Sequence, residues 1–218
     1  MGGDHAVSDV AAYVRAMSDP AKLMVNNYPA AQGKPLYENV CAGCHGIDGK
    51  GNQEIGAPNL TDDIWHWGGR PEQILQTVMK GREGVMPEWG KVLTGLGGEH
   101  AVSDVVAYVR ALPDPARLMQ NNYGAARGKP LFEAVCASCH GVDGKGKQEL
   151  GAPDLTDNYW LYGSDSATLY ATISKGRHGS MPAHEQLLGE TRARLVAAYV
   201  WSLSHPEPGK TAAAGAQR

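Results

Sequence analysis

The chain has 218 residues and a formal net charge of −3 at pH 7, room for one or two ordinary domains. Its 20 Lys and Arg stand against 23 Asp and Glu without a basic run, which argues against a nucleic-acid partner. Leu, Ile, Val and Phe number only 39, few for a self-sufficient core, and no stretch approaches the roughly 18 apolar residues that span a bilayer.

In chain order, residues 5–16 read as a helix that returns later, since His5–Val10 reappears intact at His100–Val105 and Ala12–Ala16 at Ala107–Ala111. Residues 34–41 read as a short helix with Pro35 suited to its first turn. Residues 46–58 are a glycine-rich loop. Residues 71–80 carry Ile74, Leu75 and Val78 at helical spacing and stop at Gly81. Residues 101–112 present Val102, Val105, Val106 and Val109 on one face and end at Pro113 and Pro115. A polar link follows over 114–127, then helices at about 129–136, 166–175 and 192–203. The tail from His205 is rich in Pro, Gly and Ala and reads as disordered. The coarse expectation is all-α.

Two copies of C-x-x-C-H, Cys41-Ala42-Gly43-Cys44-His45 and Cys136-Ala137-Ser138-Cys139-His140, consume all four cysteines. This is the attachment signature of a c-type haem: two sulfurs reach the porphyrin vinyl groups and the next histidine reaches the iron. A redox dithiol or half a zinc site is the alternative for a single copy. A shift of 95 residues lays one motif on the other, and residues 36–65 on 131–160. The same shift aligns Lys80-Gly81-Arg82 with Lys175-Gly176-Arg177, and Met86-Pro87 with Met181-Pro182. Two covalently bound haem c groups would supply the missing apolar interior, so the haem-free chain is expected to be largely unfolded. Thioether attachment implies maturation outside the bacterial cytoplasm. Met1-Gly2-Gly3 begins no signal peptide, so a targeting or anchoring segment is expected to be absent from this chain.

Domain boundaries follow the repeat. Residues 1–30 are expected to be the closing helix of a truncated preceding unit plus linker. Residues 31–113 form the first unit, 114–125 a linker, 126–205 the second unit and 206–218 a flexible tail.

Met86 and Met181 each lie 41 residues after their motif histidine and each precede a proline. A thioether suits ferrous iron and electron transfer, so both are read as sixth ligands, making His45, Met86, His140 and Met181 the iron-binding set. Met17, Met24, Met79 and Met119 are read as packing residues. His66, His178 and His184 have no histidine at the equivalent position of the other repeat and are read as solvated. His5, His100 and His205 are read as cap or surface residues. The second nitrogen of each motif histidine needs an acceptor, and the carbonyls of Pro58 and Pro153 are the candidates. Trp65 and Trp160 would wall the pockets or reach a propionate. Arg82 and Arg177 are candidate propionate partners.

The run C-x-x-C-H-G-x-D-G-K-G, then G-A-P-x-L-T-D, an aromatic W-x-x-G, K-G-R-x-G-x-M-P and A-Y-V, resembles the haem subunit P of cbb3-type cytochrome c oxidases. The resemblance covers nearly all of residues 31–205 and is closer in the second unit. Trp65-His66-Trp67-Gly68 departs from the pattern where Trp160-Leu161-Tyr162-Gly163 keeps it. It implies tandem class I cytochrome c domains, each wrapped around one haem with His/Met ligation. It also implies periplasmic exposure and electron delivery from small donor cytochromes to the oxidase catalytic subunit. Membrane association would come only through a segment that this chain lacks. On that reading the protein is no enzyme by itself. The competing readings are a freestanding periplasmic dihaem carrier, a dihaem peroxidase and, more remotely, a gas sensor. The last two require an open iron.

Overall fold

The computed structural model describes residues 27–114, 116 and 123–205. The expected leading helix, Met17, Met24, Met119, most of the linker and the tail beyond His205 lie outside the described residues.

The first repeat opens with α1 (Asn27–Val40), runs into the one-turn α2 (Ala42–His45), and after a long loop forms α3 (Pro71–Lys80). A strand β1 (Arg82–Met86) follows, then α4 (Gly90–Gly97) and α5 (Ala101–Ala111). The second repeat contributes α6 (Tyr123–Val135), α7 (Ala137–His140), α8 (Ser166–Lys175), β2 (Arg177–Met181) and α9 (Glu185–Ser204). Local chemistry explains the best-read helices. In α3, Pro71 takes the first position and Gln73 Oε1 accepts from the Arg70 N–H at 3.1 Å, satisfying an amide that the helix leaves unpaired. In α8, the Asp165 carboxylate accepts from the amides of Ala167 and Thr168, both at 3.0 Å.

Several local expectations are corrected. α1 and α6 begin seven and six residues earlier than the sequence suggests, so Pro35 and Pro130 sit inside their helices. The sequence also gave no sign of α4. The last helix starts at Glu185 and kinks at Gly189, whose φ of 65° breaks it into two runs. The molecule is mostly helical, with one small two-stranded sheet among the described residues. β1 and β2 pair antiparallel, with Arg82 opposite Met181 and Met86 opposite Arg177. Neither five-residue segment alternates apolar and polar residues strongly, and the partner lies 95 residues away, so no local signal announces the pairing.

Two cores result. The first gathers Tyr37, Leu60, Ile74 and Val78 with Leu188, Ala193, Val196, Ala197, Ala198 and Val200. The second gathers Leu93, Ala101, Val102, Val105, Val106, Tyr108 and Val109 with Ala125, Phe132, Cys136, Leu169 and Ile173. The packed units therefore do not follow the repeat boundaries at 31–113 and 126–205. The closing helix α9 of the second repeat packs on α1 and α3 of the first, and α5 of the first repeat packs on α6 and α8 of the second. The crossings are close. A Cβ added at Gly33 in α1 would stand 2.0 Å from the Leu195 carbonyl oxygen of α9, and one at Gly128 in α6 would stand 2.0 Å from that of Asp104 in α5.

The exchange has a pseudo-two-fold logic, each contact recurring with its partners swapped. The Trp89 amide donates to the Ile173 carbonyl at 3.0 Å, and the His184 amide to that of Val78 at 3.0 Å. The Gln53 side-chain amide donates to the Trp160 carbonyl at 2.6 Å, and that of Gln148 to the Trp65 carbonyl at 3.0 Å. Closing helices that share Ala-Tyr-Val and a similar apolar spacing face near-identical opening helices, so apolar periodicity cannot say which pairs with which. The extended run through β1 and β2 decides it, by carrying each chain segment across to the opposite unit.

Candidate haem-attachment sites

Each C-x-x-C-H forms a single helical turn entered from the preceding helix. The amides of Cys44 and His45 donate to the Cys41 carbonyl at 3.2 and 3.0 Å, and those of Cys139 and His140 to the Cys136 carbonyl at the same distances. Residues three and four apart share a helix face, so both sulfurs and the imidazole of each motif converge on one side. None of the four cysteines is in a disulfide. Cys136 is buried and Cys41 half-buried, while Cys44 and Cys139 are exposed. Burial, with a smaller push from the neighbouring cysteine, raises the Cys41 and Cys136 thiols to about 11. Before attachment these two are protonated thiols. A zinc site pooling both motifs finds no geometry, because among the described residues no three His, Cys, Asp or Glu side chains form a metal-holding group.

His45 and His140 are the buried histidines of the two units, each 8% exposed. Nδ1 of His45 lies 3.1 Å from the Pro58 carbonyl oxygen, and Nδ1 of His140 lies 3.1 Å from that of Pro153. Donation from Nδ1 to the carbonyl fixes the tautomer and leaves an unprotonated Nε2, the nitrogen that could serve as a metal ligand. Burial holds both imidazoles below their ordinary value, the proline hydrogen bonds partly oppose it, and His184 adds to the depression at His45. A buried neutral imidazole, oriented at its far nitrogen and flanked by two thiols on one face, fits a covalent haem c.

The second loop segment approaches the motif through glycine. A Cβ at Gly51 would lie 2.4 Å from the Ala57 carbonyl oxygen and one at Gly146 2.3 Å from that of Ala152, so the loop carrying each proline folds tightly back on the motif. Trp65 packs on the first core and Trp160 on the second. Their carbonyls are also the acceptors for the glutamines of the opposite repeat. Arg82 Nε donates to Thr77 Oγ1 at 2.8 Å with its guanidinium 5.1 Å from the Trp67 ring centroid. Arg177 repeats this with Thr172 at 2.9 Å and Tyr162 at 4.4 Å. Met86 packs against the second core, the one that holds Cys136, and not against the first. Met181 is half-buried at the end of β2. Met79 packs on the first core.

The other histidines divide. His178 is exposed and bonds Glu83 across the strands at 2.8 Å. His100 is exposed at the start of α5, and His205 stacks on Trp201 with centroids 4.1 Å apart. The solvated reading fails for two. His66 is half-buried against Tyr159 of the second repeat, centroids 5.7 Å apart, and burial lowers its pKa. His184 begins α9 with a buried Nδ1 that has no hydrogen-bond partner. The sequence reading also missed Gln53 and Gln148, although the retention of Gln-Glu at matching loop positions was a signal. It missed Asp104 too, a buried carboxylate that accepts from Arg127 Nε and Nη2 at 2.8 and 2.7 Å. An open groove of about 680 Å³ between α5 and α8, lined by Ala107, Arg110, Ser166 and Tyr170 among others, contains none of the predicted site residues.

The model of the family "Cytochrome C oxidase, cbb3-type, subunit III" matches residues 29–109 and again 124–200. The chain is 43% identical over 211 residues to the cbb3-type cytochrome c oxidase subunit FixP of Bradyrhizobium diazoefficiens, covering 93% of this chain and 69% of that protein. It is 46% identical over 182 residues to FixP of Bradyrhizobium sp. strain ORS 278, covering 79% of this chain and 60% of that one. It is 39% identical over 193 residues to subunit CcoP of Rubrivivax gelatinosus, covering 88% and 60%. The chain thus spans about two thirds of the length of these relatives. Among the described residues, no helix is long and apolar enough to cross a membrane. Doubled matching of the family model, on the two segments that carry the attachment turns, makes this chain a member of the cbb3-type cytochrome c oxidase subunit III family, with c-type cytochrome domains.

Proposed function

We propose that the protein is a dihaem electron relay that passes electrons from small donor cytochromes to the catalytic subunit of a cbb3-type oxidase, on the periplasmic side of the membrane. The observation that carries this reading is the doubled turn with its buried histidine held 3.1 Å from a proline carbonyl. Cys41 and Cys44 would hold one haem c and Cys136 and Cys139 the other. His45, His140, Met86 and Met181 would fill the axial positions. The haem iron supplies one-electron chemistry between ferric and ferrous states, and thioether ligation favours the ferrous one. The protein's part is orientation and exclusion of water. Pro58 and Pro153 fix each imidazole, while Trp65 and Trp160 wall the sites. Arg82 and Arg177 stand as cationic partners for propionates. With every axial position filled by a side chain there is no substrate site, which separates this reading from a peroxidase or a gas sensor. The same residues serve a freestanding carrier equally well. Family membership favours the oxidase subunit.

Intact mass and a ferric absorption spectrum of the holoprotein test it. Two covalent haems and the far-red sulfur-to-iron band are expected. A single haem, or high-spin iron in either unit, overturns the relay. Reduction by a small donor cytochrome, followed by oxidation on adding a cbb3 oxidase that lacks this subunit, tests the direction.

A further inference from the structure

We propose that the two irons exchange their methionines between the repeats. Met86, from the first repeat, closes the haem held by Cys136, Cys139 and His140. Met181, from the second, closes the haem held by Cys41, Cys44 and His45. The inference rests on the His/Met reading above and goes beyond it by reversing the pairing that the 41-residue spacing suggests.

Four observations carry it. Met86 and Trp89 pack against the core that contains Phe132, Cys136 and Ala137, and neither touches the core that contains Tyr37 and Leu60. The backbone around each Met-Pro is seated on the opposite unit. A Cβ at Gly176, just past α8, would stand 2.3 Å from the Met86 carbonyl oxygen, and one at Gly81, just past α3, 2.3 Å from that of Met181. Beyond each methionine, the Trp89 amide is tied to Ile173 and the His184 amide to Val78, each at 3.0 Å. Strand register gives the same answer. Arg82 stays with its own unit through Thr77 and Trp67. Four extended residues on, a distance of about 13 Å, Met86 lies opposite Arg177 at the end of α8.

The consequence is mutual dependence. Each haem site contains an attachment motif from one repeat and a sixth ligand, with a closing helix, from the other. A change in one repeat's Met-Pro segment is read out at the other repeat's iron.

The test uses the full-chain holoprotein in its reduced state, with isotope-labelled methionine methyls followed by NMR. A ligating methyl is displaced far upfield by the haem ring current. Met86→Leu identifies one of the two signals, and through-bond assignment in the unsubstituted chain identifies it independently if that variant does not fold. The Met86 methyl is expected to show through-space contacts to the haem whose thioether protons touch Ala137 and Ser138. Contacts to the haem beside Ala42 and Gly43 overturn the exchange while leaving His/Met ligation intact. Two unshifted methyls overturn the ligation reading itself, and the exchange with it. A second arm uses a Cys41→Ala, Cys44→Ala chain that carries one haem. Met86→Ala should abolish its far-red band and Met181→Ala should spare it. The opposite pattern overturns the proposal.

Discussion

Tyr37 and Phe132 hold the same place in the two repeats, and both are fully buried. The tyrosine alone carries a hydroxyl, which donates to the Gly46 carbonyl at 2.7 Å, and burial pushes its phenol well above the ordinary value. Tyr37→Phe keeps the ring and removes the shorter of that carbonyl's two hydrogen bonds, leaving the Gly49 amide at 3.1 Å as its donor. It should cost about 1 kcal/mol in denaturant unfolding of the holoprotein, and an unchanged midpoint would show that the hydroxyl is dispensable. The motif histidines and their spacing to the cysteines were readable because covalent attachment demands particular residues at fixed separations. The proline carbonyls were readable by elimination, since a buried imidazole must place its second nitrogen somewhere. His184 was not readable. Its counterpart Trp89 gives no hint that the position is half-buried in both units, because burial there comes from a segment of the opposite repeat.

At the scale of elements, the crossings of α1 with α9 and of α6 with α5 are the joints of the molecule. Gly33→Ala places a methyl group inside the Leu195 carbonyl's contact distance, and Gly128→Ala does the same at Asp104. Each should destabilise by at least about 1–3 kcal/mol through forced separation of the helices, read as a lowered unfolding midpoint. Leu188→Ala, in a helix that begins 45 residues after His140, removes a side chain that is 4% exposed in the first core. A loss of about 2–5 kcal/mol is expected, felt first at the Cys41 haem and not at the Cys136 haem. Site-resolved loss of the ferrous spectrum during unfolding checks the order, and earlier failure at Cys136 would contradict the packing. The surface pairs are poor levers by comparison. His178 and Glu83 are both well exposed, where an ion pair contributes little.

At the scale of the whole molecule, exchange of closing helices makes the two units inseparable without unfolding. A protease site inserted between Pro115 and Asn122 and then cut should leave the two halves together on size-exclusion chromatography. Each half carries the closing helix of the other's core, and halves that separate would refute the interlock. Haem supplies the second prediction. With 39 Leu, Ile, Val and Phe in 218 residues, the chain is sparse in core-forming side chains, and on the relay reading porphyrin faces would complete each core. The chain expressed with all four cysteines replaced by alanine should show weak, non-cooperative helical circular dichroism. A cooperative thermal transition in that variant would contradict it.

The amino-acid order by itself determined the duplication, the family and the helical character, because these rest on residue identity at short range or on direct self-comparison. What it left open was which copy of an element meets which. Two closing helices of similar apolar spacing face two nearly equal opening helices, and both pairings satisfy that spacing of buried valines and alanines. Only the path of the backbone through β1 and β2, a contact across 95 residues with no local signature, selects the exchanged arrangement.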